Sequence, residues 1–449
     1  MPDERVPDET VVRELSDQVW ERALTRDPVA ALRHGRQVDA LPGGGPDGLA
    51  ENVSFAAAML AKLAGRAGLQ AAFLRDHLEH ELAEEQRFWY RLPVTPYNAM
   101  TLGSYRSEIF AAAELRTAHD VDRYLKLLDD YATVVEQMAE TMAAQRSRGI
   151  RLPRWAVPAA VDTVSGHADA SPELLVPRER RAGLAPGPAG RLGDGVTRIL
   201  HGRLAAAFLR LLDDLAADEH AGGEGVGIGQ YPGGADCYAG LIGLTYGYYQ
   251  PPGADGAGYY HYNVANLPDR PLLQAASVIY HEGLPGHHLQ LGRLLENTAL
   301  HPIRRELTLR TFALNGYLEG WAEYAAAFCD EIGLYAEPAD RYGRLSFERF
   351  MAARLVVDTG LNVLGWSRER AAAYLHANGF LAEAEIGSEL LRYSIDDPGQ
   401  ALGYHLGHWY LRELRGTRDP LEFHEAVLAE GPLPLAILGE HVRSQGAGT

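Results

Sequence analysis

The chain has 449 residues, 46% of them hydrophobic and 23% charged, the composition of a globular protein long enough for a large core and two lobes. Its 42 Lys and Arg against 60 Asp and Glu leave a formal charge of −18 spread along the chain, which argues against nucleic acid and anionic membranes as partners. Two cysteines, Cys237 and Cys329, exclude a disulfide framework. The charged start Met1-Pro2-Asp3-Glu4-Arg5 and the absence of any apolar run near roughly 20 residues point away from a signal peptide or membrane span, and make the cytoplasm the expected compartment.

Most segments read as helix. Residues 11–26 and 50–90 carry apolar residues at three- and four-residue spacing among charges. Residues 121–146 follow the same rule, with Leu125, Leu128, Tyr131, Val134, Val135, Met138 and Met142 along one stripe, and 197–217 form another amphipathic segment ending before Gly222-Gly223. Gly/Pro-rich stretches at 182–195, 221–234 and 251–258 punctuate these, the first as a flexible connection and the third as a boundary. A short extended segment is expected near 259–264. The predicted fold is mainly α, with a helical N-terminal lobe at 1–250 and a catalytic lobe at 251–449.

Behind the apolar run Leu272, Leu273, Ala275, Ala276, Val278 and Ile279 comes His281-Glu282-Gly283-Leu284-Pro285-Gly286-His287-His288. Imidazoles that hold a zinc ion and a carboxylate that takes a proton from water are what a hydrolytic zinc site requires. The usual His-Glu-x-x-His spacing puts two imidazoles one helical turn apart. Here, on an unbroken helix, His288 would return to the face of His281 but roughly 10 Å along the axis, and His287 would point about 120° away. Pro285-Gly286 resolves this, because proline removes a backbone donor and glycine accepts unusual dihedrals. A bulge absorbing two residues makes His287 the second ligand and leaves His288 to support it or face substrate; the alternative assigns His288 as the ligand.

A third protein ligand is needed. In Asn315–Glu331 the stripe Leu314, Tyr317, Leu318, Trp321, Tyr324, Ala325 and Phe328 marks a buried helix, with Glu319 and Glu323 on a neighbouring face among Gly316, Ala322, Ala326 and Ala327. Small residues around two carboxylates let another helix come close. Glu319 is the expected ligand, and Glu323 its supporting partner or a group facing substrate.

These residues resemble the bacterial DUF885 family, whose signature is His-Glu-x-x-Pro-Gly-His-His followed by Glu-Gly-Trp-Ala, matched here by His281, Glu282, Pro285, Gly286, His287 and His288, then Glu319, Gly320, Trp321 and Ala322. Further similarity runs through Arg354 to Leu361, Gly365-Trp366-Ser367, Arg392-Tyr393 and Pro398 to Tyr404. The resemblance implies a large multi-helix fold like that of gluzincin metallopeptidases. Two departures stand out: a shortened interval before the metal motif, and Asn362 where the family commonly has histidine after Asp-Thr-Gly-Leu.

The expected mechanism has Zn2+ held by His281, His287 or His288, and Glu319, with Glu282 as general base. Tyr404, after the Pro398-Gly399 turn, is either a donor to the developing oxyanion or a packing residue; Gln400, His405 and Arg392 are weaker candidates. Gln400, Arg392, Tyr393 and Glu323 are expected on the substrate side. Arg354 and Asp358, four apart, read as a structural ion pair. Tyr246, Tyr248, Tyr249, Tyr259, Tyr260 and Tyr262 either line a cleft or pack a core. The partner expected is a small peptide or an amide-containing small molecule. Two further readings stand beside the hydrolase: a metal-dependent tailoring enzyme for a non-peptide molecule, and an inactive helical binding protein.

Overall fold

The computed structural model describes residues 8–96, 100–241, 272–306, 311–379 and 381–445, and among them every regular element is helical. None of the described helices is long and apolar enough to cross a membrane. The expected extended segment at 259–264 and the tyrosines from 246 to 262 lie outside the described residues.

Helix α1 spans Asp8–Arg26. The periodic run at 50–90 is two helices, α2 (Pro46–Leu63) and α3 (Leu69–Arg87). Gly65 and Gly68 interrupt it at φ 74 and 99, a left-handed conformation that glycine adopts without cost. Helix α4 (Ala118–Arg146) starts at a reciprocal cap in which the Asp120 N–H donates to Thr117 Oγ1 (3.2 Å) and the Thr117 N–H donates to Asp120 Oδ2 (2.9 Å). Its stripe buries Leu128, Tyr131, Val134, Val135 and Met142, as the spacing predicts. Helix α5 (Val157–Asp169) follows. The stretch at 182–195 is not a flexible connection: it holds α6 (Pro186–Ile199), begun by a proline in its first turn, and a Cβ on Gly195 would lie 2.7 Å from Leu125 Cδ2 of α4. A π turn at Leu200–Leu204 leads into α7 (Ala205–Ala221), which packs on α4 and α5.

Two compact units emerge. One comprises Gln18–Ala58 and Glu81–Gly225; the other comprises Met1–Asp17, Met59–His80 and Val226–Thr449. The division thus falls at 225/226 rather than near 250, and the unit with the histidines draws in two segments from early in the chain. Side-chain chemistry explains the first difference. The Ile228 N–H donates to Asn362 Oδ1 (2.9 Å) and Tyr238 Oη to Asp358 Oδ1 (2.9 Å), which ties 226–241 to the C-terminal helices.

In this second unit the site is carried by α8 (Gly234–Leu241), α9 (Ala275–Glu282), α10 (His287–Glu296), α11 (Thr311–Glu331), α12 (Pro338–Asn362), α13 (Glu383–Leu391) and α14 (Leu402–Arg415). The tightest crossing joins α11 and α14. A Cβ on Gly407 would lie 2.1 Å from the Gly316 carbonyl oxygen, and one on Gly320 would lie 2.5 Å from the Gly407 Cα. Only glycines allow this approach, so the expectation that small residues beside Glu319 admit a second helix holds. The crossing brings Tyr404 of α14 to the face that carries Glu319 and Glu323.

Candidate metal centre

Helix α9 ends at Glu282, and the chain restarts as α10 at His287, so the motif is broken rather than bulged. Gly286 turns back on the preceding helix: its N–H donates to the Tyr280 carbonyl (3.1 Å), and a Cβ there would lie 1.8 Å from the His281 carbonyl oxygen. The Leu284–Pro285 bond is cis. The Trp321 indole N–H donates to the Pro285 carbonyl (3.1 Å), so the Glu-Gly-Trp-Ala helix holds the break in place.

The break brings His281 and His287 edge to face, with ring centroids 4.9 Å apart. Their Nε2 atoms lie 3.2 and 3.4 Å from the same oxygen, Glu319 Oε2. His281, His287 and Glu319 are all buried, and one ligand atom from each lies within 4.8 Å of the others. His288 is exposed and outside this group, which corrects its candidacy as a ligand. It sits one residue along α10 from an inward-facing position, so its side chain leaves by another face.

Each imidazole is oriented from behind. Its Nδ1 faces an acceptor: Glu323 Oε1 for His281 (2.9 Å) and Gln290 Oε1 for His287 (3.2 Å). When an ion replaces the Nε2–H contacts to Glu319, Nδ1–H donation leaves each Nε2 lone pair towards the shared locus, the arrangement that fixes tautomer and direction in metal-binding histidines. Glu323 is held in turn by Arg344, whose Nη1 donates to its Oε2 (3.0 Å) and to Ser277 Oγ (3.2 Å). With both oxygens engaged and 1% exposure, Glu323 supports His281 and does not face substrate.

The electrostatics follow from burial. Burial pulls the His281 pKa down, but its hydrogen bonds to Glu319 and Glu323 and their charges prevail and raise it to about 10. Burial raises the Glu319 carboxyl, yet the charge of His287 and the hydrogen bonds from both histidines hold it near about 2. Glu282 goes the other way: burial, reinforced by the charges of Glu319 and Glu323, raises it against the histidines. Two buried oxygens, Glu319 Oε1 and Glu282 Oε2, have no hydrogen-bond partner among the described residues. An unsatisfied buried carboxylate oxygen is costly, and a cation beside the two Nε2 atoms would satisfy Glu319. The donor set therefore fits a divalent ion.

Tyr404 stacks on His281 at 5.9 Å with an interplanar angle of 14°. Its Oη accepts from Arg392 Nη2 at 3.3 Å. Burial, then the charge of Glu319, pushes its pKa far above the usual phenol range despite Arg392 and Arg354, so it stays a proton donor. Arg392 opens a π turn, Arg392–Asp396, that continues α13, and it also donates to Gln400 Oε1. His405 is half-buried beside His408.

Three expectations are corrected. Tyr393 is fully buried with its hydroxyl donating to Glu389, so it supports the cluster from inside rather than touching substrate. Arg354 and Asp358 do not pair: Arg354 bonds Glu389 (3.2 Å), while Asp358 accepts from Tyr238, Asn362 and the Gly399 N–H. Asn362 is fully buried. Its amide donates to the Asp358 and Tyr393 carbonyls and its oxygen accepts from Ile228, so it faces neither metal nor substrate. Gln290 and Arg344 were missed. Gln290 was within reach, three residues after His287 on one helical face; Arg344 carries no local signal.

A family model described as "Bacterial protein of unknown function (DUF885)" matches residues 28–246 and 243–442. Among curated proteins no sequence match is found. Among solved structures, a protein from Colwellia psychrerythraea described as a candidate lipoprotein is similar over 99% of this chain and 100% of its own, at 18% identity and a TM-score of 0.80. A candidate lipoprotein of unknown function from Shewanella oneidensis is similar over 97% and 99%, at 15% identity and a TM-score of 0.61. At these identities the likeness is one of fold.

Proposed function

The chain belongs to the DUF885 family, whose description assigns no activity, and from its site we propose that it is a zinc-dependent hydrolase of peptide or amide bonds. One observation carries this reading. Two imidazole Nε2 atoms converge on Glu319 Oε2, each ring aimed by an oxygen behind it, with Glu282, whose buried Oε2 has no partner among the described residues, next in sequence to His281. Two histidines and one carboxylate are a donor set of catalytic zinc sites, which keep a further position for water or substrate.

When bound, zinc supplies Lewis acidity, easing deprotonation of water and polarising a carbonyl. Glu282 takes a proton from the attacking water and returns it to the departing nitrogen, a role that suits a carboxyl whose pKa is raised by burial. The water oxygen joins the acyl carbon, the C–N bond breaks, and an acid and an amine leave with no change of oxidation state. Tyr404, stacked on His281 and kept protonated by burial, donates to the carbonyl oxygen as charge develops. Glu323 and Arg344 keep His281 pointed inward.

The test is elemental analysis of protein purified without chelator, joined to turnover on a peptide library. About one zinc per chain is expected. Glu282→Gln should keep the metal and lose turnover, and Glu319→Ala should lose the metal. Substoichiometric content of every transition metal, or full turnover by Glu282→Gln, overturns the reading.

A further inference from the structure

Next to the metal-ligand set, two arginines meet on one tyrosine. The protein is acidic overall at −18, yet two guanidinium groups gather round the Tyr404 ring: Arg354 at 4.7 Å from its centroid, and Arg392 bonded to its hydroxyl. Glu389 lies 3.2 Å from Arg354 and 3.7 Å from Arg392 and also accepts from Tyr393. Asp358, also near, already accepts from Gly399, Tyr238 and Asn362. Arg354 is sealed in at 7% side-chain exposure, whereas Arg392 keeps 24% and can be reached from solvent.

Gln400 adds a neutral donor. It is 1% exposed, its Oε1 accepts from Arg392, and its Nε2 has no hydrogen-bond partner among the described residues. A buried amide N–H without a partner is a standing cost unless something arrives to accept from it. The backbone is shaped to place the pair: Arg392 stands at the start of a π turn, a feature common at functional sites, and Gln400 follows Gly399 at φ 84. The positive charge of Arg392, anchored through Nη2 on Gln400 and Tyr404, and the adjacent Gln400 amide N–H together suit a carboxylate.

We propose that Arg392 and Gln400 form a subsite for the C-terminal carboxylate of a peptide, so that the hydrolase acts on free C-termini and releases one residue or a short fragment. This rests on the hydrolase reading above and names its substrate class. The spacing is set by Tyr404. Its ring stacks on the ligand His281 while its hydroxyl touches Arg392, so the anion is held one side chain away from the reacting carbonyl. A terminal residue spans about 3.5 Å per peptide unit, which one or two residues cover.

Two N-acetylated peptide libraries of identical sequences test it, one with free C-termini and one amidated. Fragments made by the purified protein are identified by mass spectrometry. In parallel, peptides retained on immobilised Glu282→Gln protein are identified. Free acids should be cut and retained roughly ten- to a hundredfold over amides, the yield of a charge-assisted hydrogen-bond pair, with cuts confined to the C-terminal end. Arg392→Gln and Gln400→Leu should bring that ratio towards one, and Arg392→Lys should recover part of it. Equal cleavage and retention of acids and amides overturns the subsite and leaves the hydrolase standing. Retention of free acids without cleavage by the wild-type protein keeps the subsite and sinks the hydrolase. Selection of amidated peptides bearing Asp or Glu assigns the subsite to side-chain carboxylates and overturns the terminal one; retention of neither library overturns it outright.

Discussion

Glu323→Gln isolates the orientation of His281 from its identity as a ligand. The carboxylate satisfies two donors with two oxygens, His281 Nδ1–H at 2.9 Å and Arg344 Nη1–H at 3.0 Å. An amide has one oxygen, so whichever donor it serves, its NH2 faces the other. If it serves His281, Arg344 is left as a cation at 3% exposure with Ser277 Oγ at 3.2 Å and Glu348 at 3.7 Å. Breaking a buried ion pair from one side costs about 3–5 kcal/mol. If it serves Arg344, His281 loses the acceptor that aims its Nε2, and metal affinity falls about 10- to 100-fold. Either compromise costs both properties in part. The assay is paired: urea denaturation with chelator present gives the stability loss, and competition against a zinc chelator gives the affinity. The expected result is a loss of about 3 kcal/mol together with at least tenfold weaker zinc binding. Loss of stability with zinc affinity unchanged within twofold would show that Glu323 only neutralises Arg344 and does not aim His281.

Gly407→Ala should drive α14 off α11, because its Cβ would meet the Gly316 carbonyl at 2.1 Å; a loss of about 1–3 kcal/mol in chemical denaturation is expected, with turnover falling as Tyr404 moves from His281. Asn362→His, which restores the residue common in the family, should destabilise by a similar amount and leave the ranking of cleaved peptides unchanged, since Asn362 is wholly buried away from the site; a changed ranking would refute its structural role. Asp358 supplies a pH signature: burial raises its carboxyl from 3.8 to about 7 against the donors around it. A folded pKa above the unfolded one contributes stability that is complete below 3.8 and lost as pH rises through about 7, so about three units at 1.36 kcal/mol each remove about 4 kcal/mol. Asp358→Asn should flatten that slope between pH 4 and 8 in denaturation curves, and an unchanged slope would place the titration elsewhere.

What was legible in the sequence is what local spacing encodes. The stripes of α4 and α11 follow from three- and four-residue periodicity, and the presence of a site follows from histidines and a glutamate crowded behind an apolar run. The choice between His287 and His288 was not legible. It depends on the direction in which α10 leaves Gly286, and that direction is set by backbone contact with His281 and by a hydrogen bond from Trp321, 36 residues away. The glycines at 186–199 misled for a related reason: glycine weakens a helix by about 1 kcal/mol relative to alanine, but at Gly195 it admits Leu125 of α4, and packing outweighs propensity.

Arg354 and Asp358 show the limit most clearly. Four-residue spacing puts two side chains on one helical face, and on an exposed face that geometry pairs opposite charges. On a buried face each charge meets a different neighbouring element before it meets its own helix mate: Arg354 finds Glu389 of α13, and Asp358 finds the backbone of Gly399 and the hydroxyl of Tyr238. The same logic gives Glu323 two partners from two other helices, His281 of α9 and Arg344 of α12. For these buried charges the shorter pairings thus run between elements: Arg354–Glu389 at 3.2 Å and Arg344–Glu323 at 3.0 Å, against 3.7 Å for Arg344–Glu348 within α12. Spacing can therefore point to candidate ligands without choosing between His287 and His288, while the groups that aim them depend on which helices meet.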